Sequence, residues 1–271
     1  MMRRWFPMIG LVAILFSTIL TVRHLRAASK ESGPINDGSP RTPVLIELFT
    51  SEGCSDCPPA DALLERLDRS QPVRDADLIV LSEHVDYWDD IGWKDPYSSH
   101  EFSIRQANYA HRFRLDSPYT PQMVVDGEAE LVGSDERRAI RVIENTIKTP
   151  KLPVALSSIH RESNNTLAVH VETGPFVSSG QRTPAQVLIA LADNSDQSSV
   201  RGGENSGRIL KHVAVVRNLA RVGTIDDGGT FSKDVTVSIG NADQRNMRII
   251  AILQETGLGR VLGVGSAQLL N

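Results

Sequence analysis

The chain has 271 residues, of which 40% are hydrophobic and 23% charged, and its 33 acidic and 29 basic residues give a net charge of −4. This length is sufficient for two hydrophobic cores. Four of the arginines lie within the first 28 residues, so the remainder is more acidic still. An acidic surface argues against nucleic acid as a partner and offers no basic patch for anionic lipid.

The N-terminus predicts export from the cytosol. Arg3 and Arg4 precede an uncharged, largely apolar run over residues 5–22, and this order is typical of an export signal. Residues 25–27 form only a weak cleavage site, and the run approaches the length needed to span a bilayer. Residues 1–28 are therefore either a cleaved signal peptide or a signal-anchor in the inner membrane. In both cases we expect a periplasmic or secreted protein.

Residues 29–42 contain many Gly, Pro, Ser and Asn residues and predict a linker. Apolar runs and turn residues then predict a series of strands and helices up to about residue 149. Asp126-Gly127 between two apolar runs indicates a hairpin. In chain order these elements are a strand at 43–49, a helix at 60–67, a strand at 77–82, a helix at 98–113, two strands at 122–125 and 128–132, and a helix at 135–148.

The only two cysteines form one C-x-x-C motif, Cys54 and Cys57, between the first strand and the first helix. A helix N-terminus favours a thiolate, which is the attacking species in disulfide exchange. A structural disulfide across two residues would restrain the unfolded chain very little, and a structural zinc site normally needs four ligands. We therefore predict a redox pair, in which Cys54 attacks and Cys57 resolves the mixed disulfide.

His84 follows the second strand and leaves two interpretations open. It is either a hydrogen-bonded structural histidine or a functional partner of the two thiols. Two thiolates and one imidazole suit copper, so the alternative function is a copper-binding chaperone that uses Cys54, Cys57 and His84. A non-catalytic interaction protein is the third alternative. Thiol exchange itself requires no cofactor.

Residues 152–271 lack a helical pattern and predict an all-β, sandwich-like domain. The polar stretch from Asn205 to Arg208 is either a simple hairpin or a loop that docks on the redox domain or a substrate, with Arg208, His212 and Arg217 as polar contacts. The predicted strands contain the apolar runs 154–159, 167–171, 186–191, 210–216, 235–239, 248–253 and 261–264.

The order of elements over residues 43–149 resembles thioredoxin. The resemblance implies that Pro121 follows a cis peptide bond and faces the cysteines, and that the Thr120 backbone is presented to a bound peptide. Three positions depart from thioredoxin: its tryptophan before the first cysteine is Gly53, its buried aspartate falls on Leu48, and its Gly-Pro dipeptide is Ser55-Asp56. These changes argue against a general-purpose thioredoxin.

Almost the whole exported part is similar to a family of exported bacterial proteins of unknown function within the thioredoxin-like superfamily. The resemblance implies a fold more firmly than an activity. The matching segments are Phe49 to Asp61, His84 to Asp89, Gly92 to Asp95, Tyr119 to Gln122 and Gly203 to Arg208.

These observations predict an α/β thioredoxin-like domain at 43–149 followed by an all-β, sandwich-like domain at 152–271. The expected activity is that of a thiol–disulfide oxidoreductase acting on envelope proteins. Its partners would be protein thiols or disulfides, together with a membrane electron donor if it works as a reductant. Cys54, Cys57, Thr120 and Pro121 are the expected site residues.

Overall fold

The computed structural model describes residue 2 and residues 40–163, 165–177, 183–239 and 244–269. Apart from Met2, the predicted export signal lies outside these ranges, as does the predicted linker up to residue 39. Within the described ranges, no helix is long and apolar enough to cross a membrane.

The predicted helices and strands are present, with longer bounds in several cases. The helices are α1 (Pro58–Ser70), α2 (His100–Phe113) and α3 (Glu136–Thr146). The strands are β1 (Thr42–Thr50), β2 (Ala76–His84), β3 (Gln122–Val125), β4 (Ala129–Val132), β5 (Val154–Ser163), β6 (Thr166–Thr173), β7 (Ala185–Ser199), β8 (Ile209–Ile225), β9 (Ser232–Ser238), β10 (Met247–Glu255) and β11 (Val261–Gln268).

Eight of these strands form one mixed sheet in the order β11-β10-β7-β8-β2-β1-β3-β4. β1 and β2 run parallel along their whole length, and β8 joins the free edge of β2 in parallel where Val215 pairs with Ser82. The remaining neighbours in this sheet are antiparallel. A second sheet contains three antiparallel strands in the order β5-β6-β9.

The predicted fold class is therefore wrong. We expected an α/β thioredoxin-like domain at 43–149 and a separate all-β domain at 152–271, but strands from both segments share the eight-stranded sheet. The protein is mostly β, with three short helices among the described residues, and the described residues from 40 onwards belong to one compact unit. The reason is the pairing of β8 with β2, because the backbone groups along the edge of β2 accept a strand from the second half of the chain.

The continuous sheet serves two hydrophobic cores, because its side chains alternate between two faces. On β10, Ile249 and Ala251 pack in the core beneath the three-stranded sheet. Ile250 and Ile252 point to the opposite face and belong to the same core as Leu48 of β1 and the apolar side of α1. This second core contains side chains from both halves of the sequence, so neither half buries its apolar surface alone.

The topology also explains where polar residues collect. β1 and β2 end at Thr50 and His84, side by side, and α1 begins eight residues after the end of β1. Loops that follow neighbouring parallel strands emerge at the same sheet edge. The C-x-x-C segment and the loop after His84 consequently lie at one end of the sheet, next to the first part of β8.

Candidate functional site

Cys54 and Cys57 form a disulfide, with a Cα–Cα distance of 5.4 Å. Cys57 occupies the N-cap position of α1, and Pro58 and Pro59 form its first turn, where the missing proline N–H groups would have no helical partner in any case. Both cysteines are buried, Cys54 with an exposure of 1%. The sequence-based position of the pair at a strand–helix junction is therefore confirmed.

Trp88 connects the cysteine segment with the predicted peptide-presenting segment. Its indole Nε1 donates a hydrogen bond to the Thr120 hydroxyl at 2.9 Å. Gly53 lies so close to Trp88 that an added Cβ would be 3.0 Å from the Trp88 Cβ, which explains why glycine precedes Cys54. The Thr120–Pro121 peptide bond is cis, as the resemblance implied.

The loop of residues 200–208, between β7 and β8, contacts the backbone of the cysteine segment. The buried Asn205 amide donates to the carbonyl oxygens of Glu52 and Cys54, at 2.9 and 2.8 Å. The Ser55 N–H donates to the Glu204 carboxylate at 2.9 Å, and hydrogen bonds from Ser55 lower the pKa of Glu204. Of the two alternatives left open by the sequence, the structure supports a loop that docks on the cysteine segment.

Glu52 is the centre of a buried polar cluster beside the cysteines. Trp93 Nε1 donates to its Oε2 at 2.7 Å, and the Ser198 hydroxyl donates to its Oε1. His212 Nε2 lies 3.2 Å from the same Oε1. The side chains of Glu52 and His212 are both inaccessible to solvent. Residues from three separate parts of the chain thus hold one carboxylate, which fixes its position.

His84 belongs to the same cluster through Asp95. Its Nδ1 lies 2.7 Å from Asp95 Oδ2, and the Glu52 N–H donates to that oxygen at 2.8 Å. Burial alone would raise the pKa of Asp95, but the charge and hydrogen bond of His84, with backbone N–H donors, lower it. The ring of His84 also packs edge-on against His212, with centroids 4.7 Å apart. His84 is therefore a hydrogen-bonded buried histidine.

The other two predicted polar contacts support this arrangement from outside. Arg208 donates to the Asn205 side-chain oxygen at 3.0 Å. The guanidinium of Arg217 lies 5.5 Å from the centre of the Tyr97 ring, which in turn packs on both His84 and His212.

The copper alternative requires Cys54, Cys57 and His84 to converge. In the described part of the chain, no group of three or more His, Cys, Asp or Glu side chains is placed to hold a metal ion. The copper site stays a prediction. Titration of the reduced protein with cuprous ion against a competing chelator tests it, because one-to-one binding that depends on His84 is the expected signature.

Sequence reasoning missed Glu52, Asp61 and Asp95 as members of the site. One signal was available for Asp61. It lies on the apolar side of α1, next to Ala60 and one turn before Leu64, where a carboxylate is rarely buried without a partner. No local pattern indicated that Glu52 would meet His212, since the two are separated by 160 positions.

Two solved structures share the fold. The crystal structure of protein AGR_C_4864 from Agrobacterium tumefaciens superposes with a TM-score of 0.65 and 23% identity, covering 86% of this chain and 97% of that chain. HBP35 of Porphyromonas gingivalis gives a TM-score of 0.58 and 14% identity, covering 85% of this chain and 76% of that chain. At these identities the likeness concerns the fold alone.

No curated protein matches the chain. A family model does match, over residues 45–254, and that span includes the C-x-x-C motif, the loop of residues 200–208 and all members of the buried polar cluster. The chain therefore belongs to the family described as "Protein of unknown function (DUF1223)".

Proposed function

We propose that this protein is an exported thiol–disulfide oxidoreductase that acts on envelope proteins through Cys54 and Cys57. The observation that carries the proposal is the disulfide between these two residues at the start of α1. A C-x-x-C pair at a helix N-terminus can cycle between dithiol and disulfide without a large movement of the backbone. The partners are protein thiols or disulfides.

The helix gives the two sulfurs different roles. Cys54 lies outside α1 in the loop, whereas Cys57 is the N-cap residue and Ala60 and Asp61 already donate their N–H groups to its carbonyl. The helix dipole favours a thiolate at this end. Cys54 is therefore the thiol that attacks the partner, and Cys57 is the thiol that attacks Cys54 to release it.

Export is the second part of the proposal, and it rests on the basic start and the apolar run of residues 5–22. Disulfides persist in oxidising compartments such as the periplasm, so the paired cysteines are consistent with that location. In a reducing role the protein would receive electrons from a membrane protein.

The test is capture of the mixed disulfide. In a Cys57→Ser variant, Cys54 attacks the partner but nothing releases it, so a covalent adduct that reductant dissolves should accumulate in the native compartment. Cys54→Ser is the matched control and should give none. Adducts formed equally by both variants, or by neither, would contradict the proposed reaction and favour a non-catalytic interaction protein.

A further inference from the structure

Asp61 is a buried carboxyl one helical turn after Cys57. Its N–H donates to the Cys57 carbonyl at 3.0 Å, and residues four apart in a helix lie on the same face. The Thr50 hydroxyl donates to its Oδ1 at 2.9 Å. Its other oxygen, Oδ2, lies 3.7 Å from Nδ1 of His212. One oxygen of Asp61 is thus held by β1, while the other faces a ring nitrogen from β8.

The ring of His212 is oriented by Glu52. Because an ionised carboxylate only accepts hydrogen bonds, the contact between Glu52 and Nε2 places a hydrogen on that nitrogen. Nδ1 is buried and has no hydrogen-bond partner among the described residues. In the neutral ring, the lone pair of Nδ1 therefore faces Asp61. The two side chains can share one proton between Nδ1 of His212 and Oδ2 of Asp61.

The electrostatics of the pair agree with this geometry. Burial raises the pKa of Asp61, and the charges of His212 and His84 counteract it only in part. Burial would lower the pKa of His212, but the hydrogen bond to Glu52 and the charges of Asp61, Glu52 and Asp95 raise it. Both partners therefore hold a proton more tightly than they would in water.

His212 also lies beside a surface pocket. The residue is one of those that line a pocket of about 350 Å³, although its side chain is inaccessible to solvent. The remaining lining residues are polar or charged apart from one valine: Glu65, Ser195, Asp196, Gln197, Lys211 and Val213. The pair is thus buried but close to the protein surface.

We propose that Asp61 and His212 together accept the proton that Cys57 gives up when it resolves a mixed disulfide. This inference rests on the proposed thiol–disulfide exchange. Sγ of Cys57 loses its proton to the pair and attacks Sγ of Cys54; the Cys54–partner bond breaks, and the partner leaves as a thiolate carrying the electron pair. The two cysteines are oxidised to a disulfide, and the partner sulfur is reduced.

The pH dependence follows from the charged groups around the pair. Asp61 faces Thr50, His212, His84 and Asp95, whereas His212 also faces Glu52. Below the pKa of the pair, Asp61 and His212 already share a proton and cannot accept the one from Cys57. Resolution should therefore slow as the pH falls through a value above that of an isolated histidine.

A two-phase reaction with a nitrobenzoate disulfide tests the inference. The reduced protein should release one coloured thiolate when Cys54 attacks and a second when Cys57 resolves. We expect Asp61→Asn to slow the second phase about 100-fold or more at pH 7 and to remove the inflection in the pH dependence of its rate, because positioned proton transfer contributes about 10²–10⁴-fold. The first phase should stay unchanged.

His212→Gln is the second variant, since its amide can still donate to Glu52, and it should remove the same inflection. Asp77→Asn makes the same chemical change at an exposed position near the start of β2, so it is the matched control and should behave as wild type. An unchanged second phase in both Asp61→Asn and His212→Gln overturns the proposed proton transfer to Asp61 and His212 but not the exchange reaction. Release of only one thiolate by the wild-type protein overturns the exchange reaction, and with it the proposed proton transfer.

Discussion

Glu47 and Glu83 are two fully buried carboxyls that share one guanidinium beneath α2. Arg105 Nε donates to Glu47 Oε1 at 2.6 Å and lies 3.6 Å from Glu83 Oε2. Tyr109 also donates to Glu47, at 2.7 Å. Burial and the neighbouring Glu47 raise the pKa of Glu83 well above its ordinary value. Glu83 therefore holds a proton more tightly than an ordinary glutamate does.

Glu83→Gln should make the protein more stable at neutral pH, by about 1–3 kcal/mol. A carboxyl whose pKa is raised in the folded state contributes stability below its unfolded pKa, about 4.3, and loses it as the pH rises through the folded value. Glutamine carries no charge at any pH and so avoids this loss, and the gain should vanish below about pH 4. Urea unfolding between pH 4 and 8 measures this. A gain independent of pH would contradict the assignment.

At the scale of elements, we expect the loop of residues 200–208 to limit the access of a partner to the disulfide. Its Asn205 amide is fully buried and bonds two carbonyls of the cysteine segment. Gly202 lies against the Gly92 carbonyl, too close for any side chain. This contact between two loops requires glycine at position 202.

Asn205→Ala should therefore expose the disulfide. Losing the two hydrogen bonds costs about 1–3 kcal/mol, and each 1.4 kcal/mol is about tenfold in the population of the open loop. We expect dithiothreitol to reduce the disulfide roughly ten- to hundredfold faster. Ser206→Ala, an exposed neighbour, is the control. Equal reduction rates for Asn205→Ala and the wild type would mean that the loop does not limit access.

At the scale of the whole molecule, the eight-stranded sheet makes the two halves of the sequence mutually dependent. One core contains Leu48, Leu81 and Phe102 from the first half together with Ala190 and Ile252 from the second. Cutting the chain near residue 150 would expose that core and the edge of β2. We therefore expect the described part of the chain to unfold as one cooperative unit.

Ile252→Ala tests this coupling. It removes a fully buried side chain and should destabilise the protein by about 2–5 kcal/mol. In a Trp5→Phe background, the unfolding midpoint measured by the fluorescence of Trp88 and Trp93 should move to lower denaturant. The midpoint measured by far-ultraviolet circular dichroism should move with it. Val177→Ala, which truncates a 74% exposed side chain, should shift neither. Separate transitions for the two signals would show independent domains.

Part of this structure could be predicted from the sequence, because it depends on interactions between residues close together in the chain. Apolar spacing located the helices and strands because side-chain periodicity differs between them. The same spacing placed Cys54 and Cys57 at the start of α1. The cis bond before Pro121 came from the resemblance, since no periodicity encodes it. Asp61 was readable in principle, as a carboxylate on the apolar side of a helix.

The sequence by itself thus determined the elements and the position of the C-x-x-C motif, because both depend on neighbours within a few residues. Tertiary structure alone decided that β8 joins β2 and that Asn205 reaches the Cys54 carbonyl across 151 positions. Strand edges offer the same N–H and C=O groups whatever their side chains. The choice of partner therefore depends on how the whole core packs, and that choice brings His212 to Asp61.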